Sequence, residues 1–187
     1  MPTNIKNLIL AVLCCLPLLL PIAARAQDIS IVYAASKERN GVYLVDIGLN
    51  LQIDEEIINA LRHGVSLDID IELEVKQERK WLWNKLIKEA TLHYQLQHHP
   101  LSDDFLVINL DNSSRQQFQT LDEALDYLSS VKDYTLIEGD NLSAGRKYIG
   151  LVKAELNIEK LPPPLQPATY GLSQWHLESQ WYEWPIK

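Results

Sequence analysis

Cysteine is missing from most of this sequence, since the chain has only two cysteines, Cys14 and Cys15. The residues that follow can therefore form no disulfide, no thiolate nucleophile and no cysteine-ligated zinc site. The Gly-x-Ser-x-Gly, His-Glu-x-x-His, phosphate-binding and dinucleotide-binding motifs are missing as well. These absences disfavour an enzyme and predict neither catalytic residues nor a cofactor.

Long hydrophobic runs are also scarce. The main apolar run, residues 8–20, has thirteen residues without a charge, fewer than the roughly 20 of a membrane-spanning helix. The basic Lys6 precedes it, and Ala24 and Ala26 suit the −3 and −1 positions of a signal peptidase site. We therefore expect residues 1–26 to be a signal peptide that is cleaved after Ala26. The alternative is an uncleaved segment that anchors the protein in the inner membrane.

Positive charge is scarce in the rest of the chain. Residues 1–26 contain Lys6 and Arg25 but no acid, so residues 27–187 keep 15 of the 17 basic side chains against all 25 acidic ones, a net charge of about −10. Binding to nucleic acid requires a basic field that neutralises phosphates. We therefore expect no nucleic-acid partner. A chain of this length fits a single domain, which we assign to residues 27–187.

Alternation of apolar and polar residues is the dominant pattern. Residues 66–76 place five apolar side chains on one face and an acidic stripe, Asp68, Asp70, Glu72 and Glu74, on the other. This is typical of an antiparallel strand with one face on a core and one in water, so we expect a solvated stripe opposite basic neighbours. Weaker alternation predicts strands over 29–35, 42–51, 90–98, 105–110, 148–158 and 175–184, with shorter ones at 115–119 and 134–137.

Two short helices interrupt the strands. Asp54 can cap a helix over 55–62, and Gly64 ends it. Thr120 and Glu123 form a capping-box motif ahead of apolar residues at helical spacing. The pattern predicts an all-β fold, an antiparallel β-sandwich of about eight or nine strands with two short helices, and α+β is the alternative.

The end of the chain combines proline and tryptophan. Residues 161–167, Leu-Pro-Pro-Pro-Leu-Gln-Pro, predict an extended polyproline geometry. Residues 175–184 follow with three tryptophans and carry bulky side chains on both faces of the predicted strand. We interpret this last strand as part of the core.

One segment differs from the acidic remainder. Residues 79–88, the basic segment, carry four positive charges, no negative charge and two of the five tryptophans. One interpretation is that the tryptophans cover an edge of the core while the lysines are solvated. The others are contact with a protein partner, contact with a membrane surface, or stacking against a sugar. The candidate binding residues are Arg79, Lys80, Trp81, Trp83, Lys85 and Lys88.

Three histidines raise the question of a metal site. On one strand His93 and His99 would share a face but lie about 20 Å apart, too far to bind one ion. His98 precedes a turn at Pro100, where exposed histidines are common. The acidic stripe is a straight array, whereas calcium needs six to eight converging oxygens. We therefore predict no metal site.

Several motifs together resemble a proteobacterial family known as domain of unknown function 4390 (DUF4390), over most of residues 27–187. They are Gly41-Val42-Tyr43, the run Ala-Leu-Arg-His-Gly-Val at 60–65, Arg79-Lys80-Trp81, Asp122-Glu123-Ala124-Leu125, and the closing Trp175 with Ser-Gln-Trp-Tyr-Glu-Trp at 179–184. The resemblance implies an exported protein, often encoded beside a membrane sensor histidine kinase, and therefore signalling at the envelope. It implies no catalytic residues.

From these features we expect an exported periplasmic binding or interaction module of the bacterial envelope. Its expected partner is a membrane sensor or another envelope protein, and the basic segment is the expected contact. The alternatives are a membrane-surface or lipid-binding accessory protein, and a hydrolase whose site no motif reveals.

Overall fold

The computed structural model describes residues 29–161 and 175–186. The predicted signal peptide and the proline-rich residues 162–167 lie outside these ranges. No helix within the two ranges is long and apolar enough to cross a bilayer. The strands and helices of the described residues are β1 (Ile29–Arg39), β2 (Val42–Leu51), α1 (Glu55–Arg62), β3 (Leu67–Gln77), β4 (Lys85–His99), β5 (Asp104–Asn109), β6 (Ser114–Phe118), α2 (Leu121–Leu128), β7 (Ser130–Glu138), β8 (Tyr148–Leu156) and β9 (Tyr182–Ile186).

The strands form two antiparallel sheets. The smaller sheet has three strands in the order β1-β2-β7, and the larger has six in the order β6-β5-β4-β3-β8-β9. β1 of the smaller sheet packs against β8 and β9 of the larger one. This architecture confirms the predicted all-β antiparallel sandwich with two short helices, rather than the α+β alternative.

β3 is a central strand of the larger sheet, because it pairs with β4 on one side and with β8 on the other. Burial of one such apolar side chain stabilises a fold by about 1.5–3 kcal/mol. The alternating apolar residues of β3 therefore anchor the core, as the sequence predicts. Those exposed by 3% or less are Leu67, Ile69, Ile71, Leu73 and Val75.

Both helices occupy the predicted residues. The capping box at α2 is present, because the Thr120 side chain accepts from the Glu123 N–H and the Glu123 carboxylate accepts from the Thr120 N–H. At α1 the predicted cap is wrong, since the Asp54 side chain makes no capping hydrogen bond. Its backbone carbonyl instead accepts the first helical hydrogen bond, from the Ile58 N–H.

The C-terminal strand is shorter than predicted. β9 covers only Tyr182–Ile186, and residues 175–181 run beside the end of β8 without forming a regular strand. The Ser179 hydroxyl accepts from the Ala154 N–H, so a side chain replaces a backbone acceptor and interrupts the ladder. Trp175 and Trp184 are buried, which confirms their predicted place in the core, whereas Trp181 is 43% exposed.

Candidate binding site

The basic segment lies at the turn of the hairpin between β3 and β4. The loop covers residues 78–84, so residues 79–84 of the segment lie in it and residues 85–88 begin β4. The ladder closes at the pair Gln77–Lys85, so β4 begins five residues before the predicted residue 90. Pairing up to the loop holds the basic segment at one end of the six-stranded sheet.

The two tryptophans of the loop point into solvent. Trp81 is 95% exposed, Leu82 67% and Trp83 93%. The interpretation in which these tryptophans cover an edge of the core is therefore wrong. Three consecutive large apolar side chains in water form the kind of apolar patch that marks interaction sites. We call Trp81, Leu82 and Trp83 the hairpin tip.

The cations of the basic segment flank the hairpin tip on both sides and are Arg79, Lys80, Lys85 and Lys88. The first three are exposed, while Lys88 is half-buried and pairs with Val75, further from the tip. Within the described residues none of the four forms an ion pair. By contrast, Lys37, Lys153 and Lys160 each contact a carboxylate. No ion pair with a described residue therefore neutralises the cations around the tip.

Two further cations lie beside the base of this hairpin. The Glu78 N–H donates to the Lys147 carbonyl over 3.0 Å, which places Arg146 and Lys147 next to the basic segment. Both side chains are exposed, and neither forms an ion pair with a described residue. Glu78 and Glu183 line the same cleft of about 430 Å³ as these two cations, so its charge is mixed.

Arg146 and Lys147 were not among the binding residues predicted from the sequence. Their proximity to the basic segment depends on the pairing of β3 with β8, which joins Gln77 to Tyr148. An adjacent Arg-Lys pair just before a predicted strand is a weak signal, because it does not show which strand is the neighbour. Only the order of the strands brings these two cations and the four cations of the basic segment to one end of the sheet.

The acidic stripe is not fully solvated, which corrects the prediction. Asp68 is 4% and Asp70 6% exposed. Asp70 accepts hydrogen bonds from Asn157 over 2.7 Å and from Lys160 over 3.1 Å, and its Oδ1 lies 2.7 Å from His93 Nδ1. The chain after β8 brings Asn157 and Lys160 over this end of the stripe. The alternation of apolar and polar residues in the sequence does not predict this contact.

The two buried carboxylates differ in acidity. Burial raises the pKa of Asp68, and a hydrogen bond from Gln95 opposes this only in part. For Asp70 burial acts in the same direction, but hydrogen bonds from Asn157, His93 and Lys160 outweigh it and lower the pKa. Asp70 is therefore the charged centre of a structural polar cluster.

The three histidines are held by separate partners. His93 contacts Asp70, His98 lies 3.1 Å from Asp103, and His99 lies 3.2 Å from Asp104. Among residues 29–161 and 175–186, no group of three or more His, Cys, Asp or Glu side chains could hold a metal ion. The geometry therefore assigns each histidine to a local contact.

One cluster contains the residue types of a hydrolytic triad. The Ser102 hydroxyl donates to Asp104 Oδ1 over 2.8 Å, and His99 Nδ1 lies 3.2 Å from the same oxygen. A nucleophilic serine must instead bond to the imidazole that takes its proton. Ser102 and His99 share a carboxylate rather than each other, so the cluster gives no support to the hydrolase alternative.

Comparison with known families agrees with the motifs. A family model described as domain of unknown function (DUF4390) matches residues 26–185. The chain belongs to this family. The DUF4390 match spans both sheets and the basic segment, so the hairpin tip lies within the family's domain. No curated protein and no solved structure matches the chain.

Proposed function

We propose that this DUF4390 protein is an exported periplasmic interaction module that binds a component of the bacterial envelope through the hairpin tip. The observation that carries the proposal is the exposure of Trp81 and Trp83, at 95% and 93%. Tryptophan is enriched among the residues that dominate binding energy, because its large ring removes much apolar surface from water on contact.

The position of the tip also supports binding. Loops that carry binding residues are typically held in place by a rigid scaffold. Here the scaffold is the central strand β3 and its neighbour β4, which pair up to Gln77 and Lys85. The base of the loop is therefore held at the end of the sheet, and the tip extends from it into solvent.

The expected component is a membrane sensor, another envelope protein or the membrane surface itself. Export by the leader at residues 1–26 and location in the periplasm are part of the proposal. They are supported by the three-part leader pattern.

Crosslinking in intact cells tests the proposal. A benzophenone amino acid at position 82 is compared with one at position 101, because Leu101 is also an exposed leucine in a loop, at the other end of β4. We expect position 82, but not position 101, to form discrete adducts with an envelope component, identified by mass spectrometry. Identical adduct patterns from the two positions, or none from position 82, would contradict the proposal.

A further inference from the structure

We infer that the component bound by the hairpin tip is an anionic phospholipid surface, an inference that rests on the proposed function and names its partner. The exposed apolar side chains of the tip are suited to insertion into the apolar interior of a membrane. Its three apolar side chains are consecutive and are 95%, 67% and 93% exposed. A protein-binding hot spot, by contrast, usually lies in a packed patch surrounded by other contact residues.

The cations stand where lipid headgroups would lie. Arg79 and Lys80 precede the tip within the loop and Lys85 follows it at the start of β4, so positive charges border the apolar side chains on both sides. Arg146 and Lys147 add two more beside the hairpin base. An apolar tip within a border of cations is complementary to hydrocarbon beneath anionic headgroups, and tryptophan prefers that interface.

None of these cations is neutralised within the described part of the chain, whereas Lys37 and Lys160 form ion pairs with carboxylates. The nearest acids in sequence are Glu78 and Glu89, which border the basic segment. Neither acid forms an ion pair with a described residue, so the cations beside the tip remain available to an external anionic surface.

The net negative charge of the domain does not prevent this contact. Charges separated by more than about 8–10 Å are largely screened at physiological salt. The acidic stripe runs along β3 away from the loop, and its two most distant members, Asp68 and Asp70, are buried. The local cations consequently orient the protein with the hairpin tip toward the membrane.

Vesicle flotation tests the inference. The protein is purified from cells as the cells produce it, without truncation. The vesicles contain either phosphatidylcholine alone or phosphatidylcholine with about one third phosphatidylglycerol. We expect binding to the anionic vesicles and weak binding to the neutral ones. Each Trp→Ala change at position 81 or 83 should weaken binding about tenfold. Arg146→Gln and Lys147→Gln should each weaken it about fivefold.

Two control variants lie away from the tip. Trp181→Ala removes a ring that is 43% exposed at the far end of β9, and Lys132→Gln removes an exposed cation of the smaller sheet. Both should leave flotation unchanged. Equal binding to neutral and anionic vesicles, or no binding to either, would overturn the inference. If vesicles fail to bind while position 82 still crosslinks to a protein, the partner is that protein and only the proposed function stands.

Discussion

Replacing both tip tryptophans should leave the stability of the fold almost unchanged. Trp81 is 95% exposed. Folding therefore removes from water only roughly 12 Å² of a side-chain surface of about 250 Å². Burial of this area stabilises the folded state by about 0.3 kcal/mol. The same reasoning gives about 0.4 kcal/mol for Trp83, which is 93% exposed. The double variant Trp81→Ala/Trp83→Ala should therefore lose less than about 1 kcal/mol, a change in Tm below about 4 °C.

Trp184 provides the matched comparison, since it is only 3% exposed and packs against the face of Gly150. Trp184→Ala should cost about 3–5 kcal/mol, because it removes a buried ring and leaves a cavity. Urea unfolding followed by far-ultraviolet circular dichroism measures both variants without relying on tryptophan fluorescence. A loss above about 2 kcal/mol in the tip double variant would refute the reasoning, because its rings would then pack against the domain.

Three further predictions concern the interior. Asp70→Asn should destabilise the fold by about 1.5–3 kcal/mol, whereas Asp68→Asn should be close to neutral, because burial already raises the pKa of Asp68. Since the pKa of Asp70 is lowered on folding, its contribution is present above the ordinary carboxyl pKa of 3.8 and is lost as the pH falls through the lowered value. In urea titrations between pH 7 and pH 3, the difference between wild type and Asp70→Asn should shrink, and a constant difference would contradict the assignment. Gly150→Ala should cost about 1–3 kcal/mol, because a Cβ there would overlap the Trp184 ring; an unchanged Tm would show that the ring moves aside.

The sequence predicted the elements whose signals are local. The alternation over 66–76 appears as β3 with its apolar face buried, and the capping box at Thr120 begins α2. In both cases residues close in sequence determine the structure. In the strand, successive side chains point to opposite faces, and at the start of the helix, hydrogen bonds form within one turn.

Long-range contacts account for what the sequence left open. The burial of Asp70 depends on Lys160, ninety residues later in the chain. The proximity of Lys147 to Glu78 depends on which strand pairs with β3. The exposure of Trp81 could not be predicted, because the sequence of a hairpin loop does not show whether its tryptophan rings pack on the core or extend into water.

Association with isolated envelope membranes tests the central claim most directly. Wild type, Trp81→Ala/Trp83→Ala and the control Trp181→Ala are produced at equal abundance in cells, and the membrane-bound share of each is measured after fractionation. We predict that the double variant loses most of its membrane association while the control retains the wild-type share. Equal shares for all three proteins, with Tm unchanged, would show that the hairpin tip is not the docking surface.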